Sequence, residues 1–167
     1  MREPPVDATP EKLSHAPLTR RGHSFSDFQV GQVYEHHWGR TLTETDNVLF
    51  TSLTLHFNPL YFNAETARRR GQDRCPLNPL LILGTAVSLS VEDLSEASEA
   101  FLGLDDVRFL KPLYGGDTLS ARSTVLEARP SSSRPGQGVV SWLTEGFDQR
   151  GELVLSFRRA NLFQLEP

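Results

Sequence analysis

The chain has 167 residues, a formal net charge of −4, 38% hydrophobic and 23% charged residues. This length suits one domain with a sizeable core, and this balance is that of a soluble globular fold. The acidic surplus argues against a dedicated nucleic-acid binder, which needs a basic face, and the single cysteine, Cys75, excludes an internal disulfide and any CxxC zinc pair.

Met1-Arg2-Glu3-Pro4-Pro5 lacks the apolar core of a signal peptide, and the longest apolar stretch, Leu80 to Val91, is too short to span a bilayer. The expectation is a cytoplasmic protein with no membrane and no nucleic-acid partner. Residues 1–24, rich in proline and charge without periodicity, read as a flexible or draped N-terminal arm, and residues 25–167 as a single domain. Ser26 to Val33 is a glycine turn leading into a strand, Val33 to Leu42. His36 and His37 on that strand point to opposite faces and so form no metal pair; no other metal-ligand spacing and no nucleotide-binding glycine loop occurs.

Thr43-Glu44-Thr45-Asp46 is a capping-box-like helix start, and the helix is expected to turn Val48, Leu49 and Leu53 to the core. Pro59 requires it to end before His56 or bend there. A short helix over Asn63 to Arg70 is stopped by Gly71. Asn78 then caps a helix with Pro79 at its first position, and Leu80 to Leu94, apolar nearly all round with small residues interspersed, reads as buried.

Strand-like segments follow at Val107 to Leu110, Thr118 to Ala128, Gly138 to Asp148 and Leu153 to Leu165. Asp148-Gln149-Arg150-Gly151-Glu152 is a hairpin signal, and Pro130 to Gly138 a long exposed loop. One antiparallel sheet with one buried helix is an α+β arrangement, and its edges make pairing with a second copy plausible.

Two segments carry more specific information. Phe109-Leu110-Lys111-Pro112-Leu113-Tyr114-Gly115-Gly116-Asp117-Thr118-Leu119 resembles the strand start of MaoC-like thioester proteins, and His56-Phe57-Asn58-Pro59-Leu60-Tyr61 lies where that family keeps an Asp, any residue, Asn-Pro, any residue, His pattern. On these segments, over roughly Phe25 to Leu165, the chain resembles the MaoC-like branch of the hotdog-fold acyl-CoA hydratases and dehydratases. Leu53-Thr54-Leu55 and Pro59-Leu60 look closest to its mesaconyl-CoA hydratase-like members. Asn58-Pro59 matches the pattern; His56 stands in the Asp slot and Tyr61 in the His slot.

The resemblance implies a hotdog domain, a sheet wrapped around a central helix, dimeric or built from dimers, with the acyl-CoA tunnel at the subunit interface. It implies a hydro-lyase that reversibly hydrates an enoyl-CoA thioester, with a branched or C5 dicarboxylic acyl group in view. CoA enters as part of the substrate and no cofactor is bound. Hydration needs a base for water and an acid for Cα; an imidazole titrates near neutrality, whereas an ordinary phenol near 10 is a poor base. His56 is thus expected as general base, Tyr61 as its orienting or donating partner and Asn58 as a positioning group. The resemblance also implies that a main-chain N–H at the central helix start, Leu80 or a neighbour after the Asn78 cap because Pro79 has none, polarises the thioester carbonyl. Lys111, Arg108 and Arg134 are expected to meet the CoA phosphates, with Arg158 and Arg159 as further cations.

Two other readings stand beside this one. The changes at His56 and Tyr61 fit a catalytically silent acyl-CoA-binding subunit of a hotdog heterodimer. A thioesterase would need a carboxylate near the central helix, and Glu92 and Asp93 lie at its far end.

Overall fold

The structure is a computed structural model that describes residues 22–165. Of the N-terminal arm, residues 1–21 lie outside the described residues. His23 packs its ring against Phe28 and Tyr34, and Ser24 N–H donates to Asp27 in a 3-10 turn, Phe25–Asp27.

Five antiparallel strands, β1 (Val33–Thr41), β2 (Ala100–Phe109), β3 (Thr118–Pro130), β4 (Gln137–Phe147) and β5 (Leu153–Gln164), form one sheet in the order β1-β3-β4-β5-β2. Between β1 and β2 come the helices α1 (Glu44–Leu53), α2 (Ala64–Arg69), α3 (Pro79–Leu89) and α4 (Val91–Leu94), with a 3-10 turn over Pro59–Tyr61. β4 alternates half-buried and buried along its whole length, which is the two-residue period of a strand with one face on a core. That inner face cups α3. Leu42, Leu77, Ile82, Ala86, Leu119, Leu155 and Phe157 form the main core. Each large side chain among them contributes about 1.5–3 kcal/mol of burial. Beyond the end of α3 a second cluster, Phe28, Leu94, Val125, Val140, Trp142 and Phe163, closes the sheet.

The glycine-rich segment is where β1, α1 and β3 are tied together. Gly116 sits at φ +98°, which an L side chain rarely adopts, and a Cβ on Gly115 would come within 2.6 Å of Glu44 Cγ. Asp117 Oδ2 accepts the Tyr114 N–H at 2.8 Å, while its carbonyl accepts the Leu42 N–H at 2.9 Å. The Gly115-Gly116-Asp117 turn thus anchors the start of α1.

Three expectations change. First, α1 turns Leu49 and Leu53 outward, 55% and 75% exposed, and buries Asn47 and Thr51. The sheet is already filled by α3, so α1 docks by hydrogen bonds and leaves its apolar side open. Second, the segment Leu80 to Leu94 is two helices broken at Ser90, and Leu80 is half exposed. Third, β2 begins at Ala100, seven residues before the expected Val107. The pairing of β2 with β5 shifts between Asp105 and Arg108, where Asp106 takes φ +51°, so only the stretch after this irregularity reads as strand-like in the sequence.

His36 and His37 do face opposite ways. His36 is buried: its Nδ1–H donates to Asp93 at 2.6 Å, and its Nε2 accepts from Ser123 Oγ at 2.8 Å, which accepts in turn from Thr144 Oγ1 at 2.8 Å. This chain staples α4 to β1, β3 and β4. Burial pulls the His36 imidazole below its usual range, against the upward pull of Asp93. His37 lies on the solvent side, 3.8 Å from Glu92. Next to the staple, Arg159 lies fully buried over the Trp142 ring, its carbon centre 5.3 Å from the ring centroid, and burial pushes its guanidinium down to about 10.

Candidate functional site

The site forms where two capped turns meet at the start of α3. Leu55, at φ +56°, turns the chain out of α1 and sets the direction of His56. Asn58 Oδ1 then accepts the Leu60 N–H at 3.1 Å and caps the turn containing Pro59, which carries Tyr61 back over His56. The His56 and Tyr61 rings meet edge to face with centroids 5.6 Å apart, although five residues separate them in sequence.

Asn78 joins this turn to the helix. It is fully buried; its Oδ1 accepts the Leu80 N–H at 2.9 Å, and its Nδ2 donates to His56 Nδ1 at 2.9 Å. Behind it stands Asn47. Asn47 Oδ1 accepts the Asn78 N–H at 2.7 Å, and its Nδ2 donates to the carbonyls of Tyr61 at 2.7 Å and Pro76 at 3.0 Å. Sequence reasoning missed Asn47. Its only signal was a polar side chain on the same helix face as Thr51, four residues on.

The expected main-chain donor sits at this cap. The Leu80 N–H is occupied by the Asn78 side chain, so the first free-facing amide of α3 is already capped.

Tyr61 is a wall shared by two cavities of about 260 Å³ each. One is polar and includes Glu44, Asn47, Arg68, Asp73, Arg74 and Cys75. Arg74 stacks on the Tyr114 ring and donates to the Gly115 carbonyl at 3.1 Å. Burial pushes the Cys75 thiol up, as fits a structural cysteine. The other cavity is more apolar and includes Pro79, Ile82, Phe109, Leu110 and Lys111. His56 is a wall of neither; it touches them through Tyr61 and sits among exposed Leu53, Leu55 and Phe57.

Of the expected phosphate ligands, Lys111 lies at the apolar cavity, paired with Glu152. Arg108 is held by Asp106 at 2.9 Å. Arg134 follows the far end of β3, on the order of 40 Å of strand from Thr118. The single chain does not bring the three together. Arg158 and Arg159 sit on β5, Arg159 inside the core. The carboxylates beyond α3 are occupied: Glu92 accepts from Trp38 Nε1 at 3.0 Å and Asp93 binds His36. Among the described residues no cluster of His, Cys, Asp or Glu could hold a metal, and no helix is long and apolar enough to cross a membrane.

A five-stranded antiparallel sheet curled around one central helix is the hotdog fold, and the capped start of that helix beside the turn with Asn58-Pro59 defines a MaoC-like member. Comparison with known proteins agrees. The family model for mesaconyl-CoA hydratase matches residues 6–166. A mesaconyl-CoA hydratase of Haloarcula hispanica is 40% identical over 151 residues, covering 90% of this chain and 42% of the relative. The structure of a MaoC domain protein from Chloroflexus aurantiacus superposes with a TM-score of 0.84 at 33% identity, covering 91% of this chain and 43% of that one. A Mycobacterium tuberculosis protein with a double hotdog fold matches at 25% identity and a TM-score of 0.74, over 87% of this chain and 45% of that one. The chain belongs to the mesaconyl-CoA hydratase family of MaoC-like hotdog proteins. It spans about two fifths of the length of the curated relatives it matches.

Proposed function

We propose that this chain is one hotdog unit of a hydro-lyase that adds water reversibly to an enoyl-CoA thioester bearing a branched or C5 dicarboxylic acyl group. In that reaction the water oxygen bonds to Cβ, a base removes one of its protons, and a proton is delivered to Cα. The observation that carries the reading is the coupling of His56 to Asn78 at the start of α3, beside a Tyr61 that walls two cavities. The apolar cavity suits the pantetheine arm, with Lys111 near a phosphate. The polar cavity offers Arg68 and Arg74 to a distal carboxylate. CoA is then part of the substrate.

The unit works as a pair, with itself or with a second hotdog. Exposed Leu53, Leu55 and Phe57 around His56, and exposed Phe101, Leu102 and Leu110 along and just beyond the edge strand β2, support this. The same exposure, with His56 and Tyr61 standing where the family pattern keeps Asp and His, favours a second reading: a binding subunit beside a catalytic homologue. One assay separates them. Mesaconyl-CoA and crotonyl-CoA are followed by loss of enoyl absorbance with wild type, His56→Ala and Tyr61→Phe. Turnover that collapses in His56→Ala supports the hydratase. Thioester binding without turnover leaves the binding subunit.

A further inference from the structure

The hydrogen bonds of Asn78 decide which nitrogen of His56 carries the proton. An asparagine side chain has one acceptor end and one donor end. The Leu80 main-chain N–H can only donate, so the Asn78 atom facing it is the oxygen, Oδ1, at 2.9 Å. The atom facing His56 is therefore the amide nitrogen, which donates to His56 Nδ1 at 2.9 Å. Nδ1 must present a lone pair, and the neutral ring then carries its proton on Nε2. No other amide orientation satisfies both contacts. The Asn78 backbone is held in turn by buried Asn47, so the side chain has little room to turn over.

We infer that Asn78 locks His56 as an Nε2–H donor, and that His56, rather than the capped Leu80 amide, is the group that polarises the thioester carbonyl. The assignment of the proton rests on these hydrogen bonds alone; the assignment of the role rests on the hydratase reading. As water adds to Cβ, negative charge gathers on the thioester oxygen, and a fixed N–H donor brought to that oxygen, which reaches His56 past the Tyr61 wall, would gain strength at that moment. No proton is transferred by this hydrogen bond. The proton lost by water goes to another group, for which this chain offers the carboxylates of Glu44 and Asp73 at the polar cavity. A general base at His56 would need a bare Nε2 and a proton on Nδ1, facing the Asn78 amide donor. That arrangement sets two donors against each other. The same residue that removes the main-chain donor from service thus supplies a side-chain donor in its place.

The molecule contains its own control. His36 gives Nδ1–H to a carboxylate and accepts at Nε2, the opposite tautomer.

The test is the long-range proton–nitrogen NMR spectrum of the histidine rings in uniformly ¹⁵N-labelled full-length protein at about pH 8, with His56→Gln and His36→Gln assigning the two rings. Expected is a His56 ring protonated at Nε2 and a His36 ring protonated at Nδ1. A His56 ring protonated at Nδ1, or averaged between tautomers as in free histidine, overturns the assignment. Asn78→Asp keeps an oxygen for the Leu80 cap and turns the other toward Nδ1 as an acceptor, so it is expected to move the His56 proton to Nδ1. A ring still protonated at Nε2 in that variant overturns control by Asn78. Turnover of mesaconyl-CoA then tests the role. His56→Ala is expected to lose about 10²–10³-fold in kcat, the usual cost of one oxyanion donor. His56→Gln, which keeps an N–H near the Nε2 position, is expected to retain at least about tenfold more than His56→Ala. Equal loss in both overturns the donor role. Absence of turnover in wild type overturns the hydratase reading and the donor role with it, while the spectrum still decides the tautomer.

Discussion

Asn47 Oδ1 accepts the main-chain N–H of Asn78 at 2.7 Å, and both residues are buried. Through this one contact α1 holds the start of α3, and the other end of the Asn47 amide holds the carbonyls of Tyr61 and Pro76. Asn47→Ala leaves three main-chain groups short of a partner. At about 1–3 kcal/mol for each such buried group, partly refilled by water, the expected loss is on the order of 3 kcal/mol. Urea unfolding checks it. A loss below about 0.5 kcal/mol would show that Asn47 is dispensable. Asn47→Asp, which accepts but cannot donate, is expected to recover only the Asn78 contact.

The His36 staple gives stability a direction in pH. Burial holds His36 below its usual value of 6.5, so the unfolded chain binds a proton where the fold does not. Stability is therefore complete above that value and falls as pH is lowered through it toward the folded value. The groups facing the ring are Asp93 from α4, Ser123 from β3, Arg159 from β5 and Glu35 on its own strand. Unfolding free energy measured from pH 8 to 5 should decline in wild type and flatten over that window in His36→Gln. An identical decline in both would place the titration elsewhere.

Arg159 is the opposite case, a buried charge whose Nε and Nη2 find no hydrogen-bond partner among the described residues. Replacing an unpaired buried cation by an apolar side chain of similar length removes that penalty. Arg159→Met is expected to stabilise the protein by about 1–3 kcal/mol in thermal or urea unfolding. Destabilisation would mean that its stacking on Trp142 outweighs the unsatisfied donors.

Phe101, 53% exposed, lies on the edge strand β2, which among the described residues pairs with β5 alone. A second hotdog laid along this edge would cover it. Phe101→Lys should shift the protein from a multiple of 18.7 kDa to the single-chain mass in light scattering. A single-chain mass already in wild type would remove the homodimer.

The elements that were legible are those specified locally. The Thr43–Asp46 box, the Asn78 cap with Pro79, the Gly71 stop and the Asp148–Glu152 hairpin all appear as expected. In the hairpin, the Asp148 carboxylate accepts the main-chain N–H of Glu152 and, with Arg150 also bound, is held down to about 2. What misled was the assumption that an apolar helix face turns to the chain's own core. Val48, Leu49 and Leu53 obey the helical period, but period cannot say whether the surface that covers them belongs to the same chain.

The sequence by itself determined the caps and turns that bound most elements, and which stretch carries the family's turn. Caps, glycine turns and alternation act within a few residues of one another. Only the tertiary structure decided that Nε2 is the nitrogen of His56 left to carry a proton. That hangs on the Asn78 side chain, which meets His56 across 22 residues while Asn47, 31 residues away, holds the Asn78 main-chain N–H. The direction of a hydrogen bond is fixed only when both of its ends are in place.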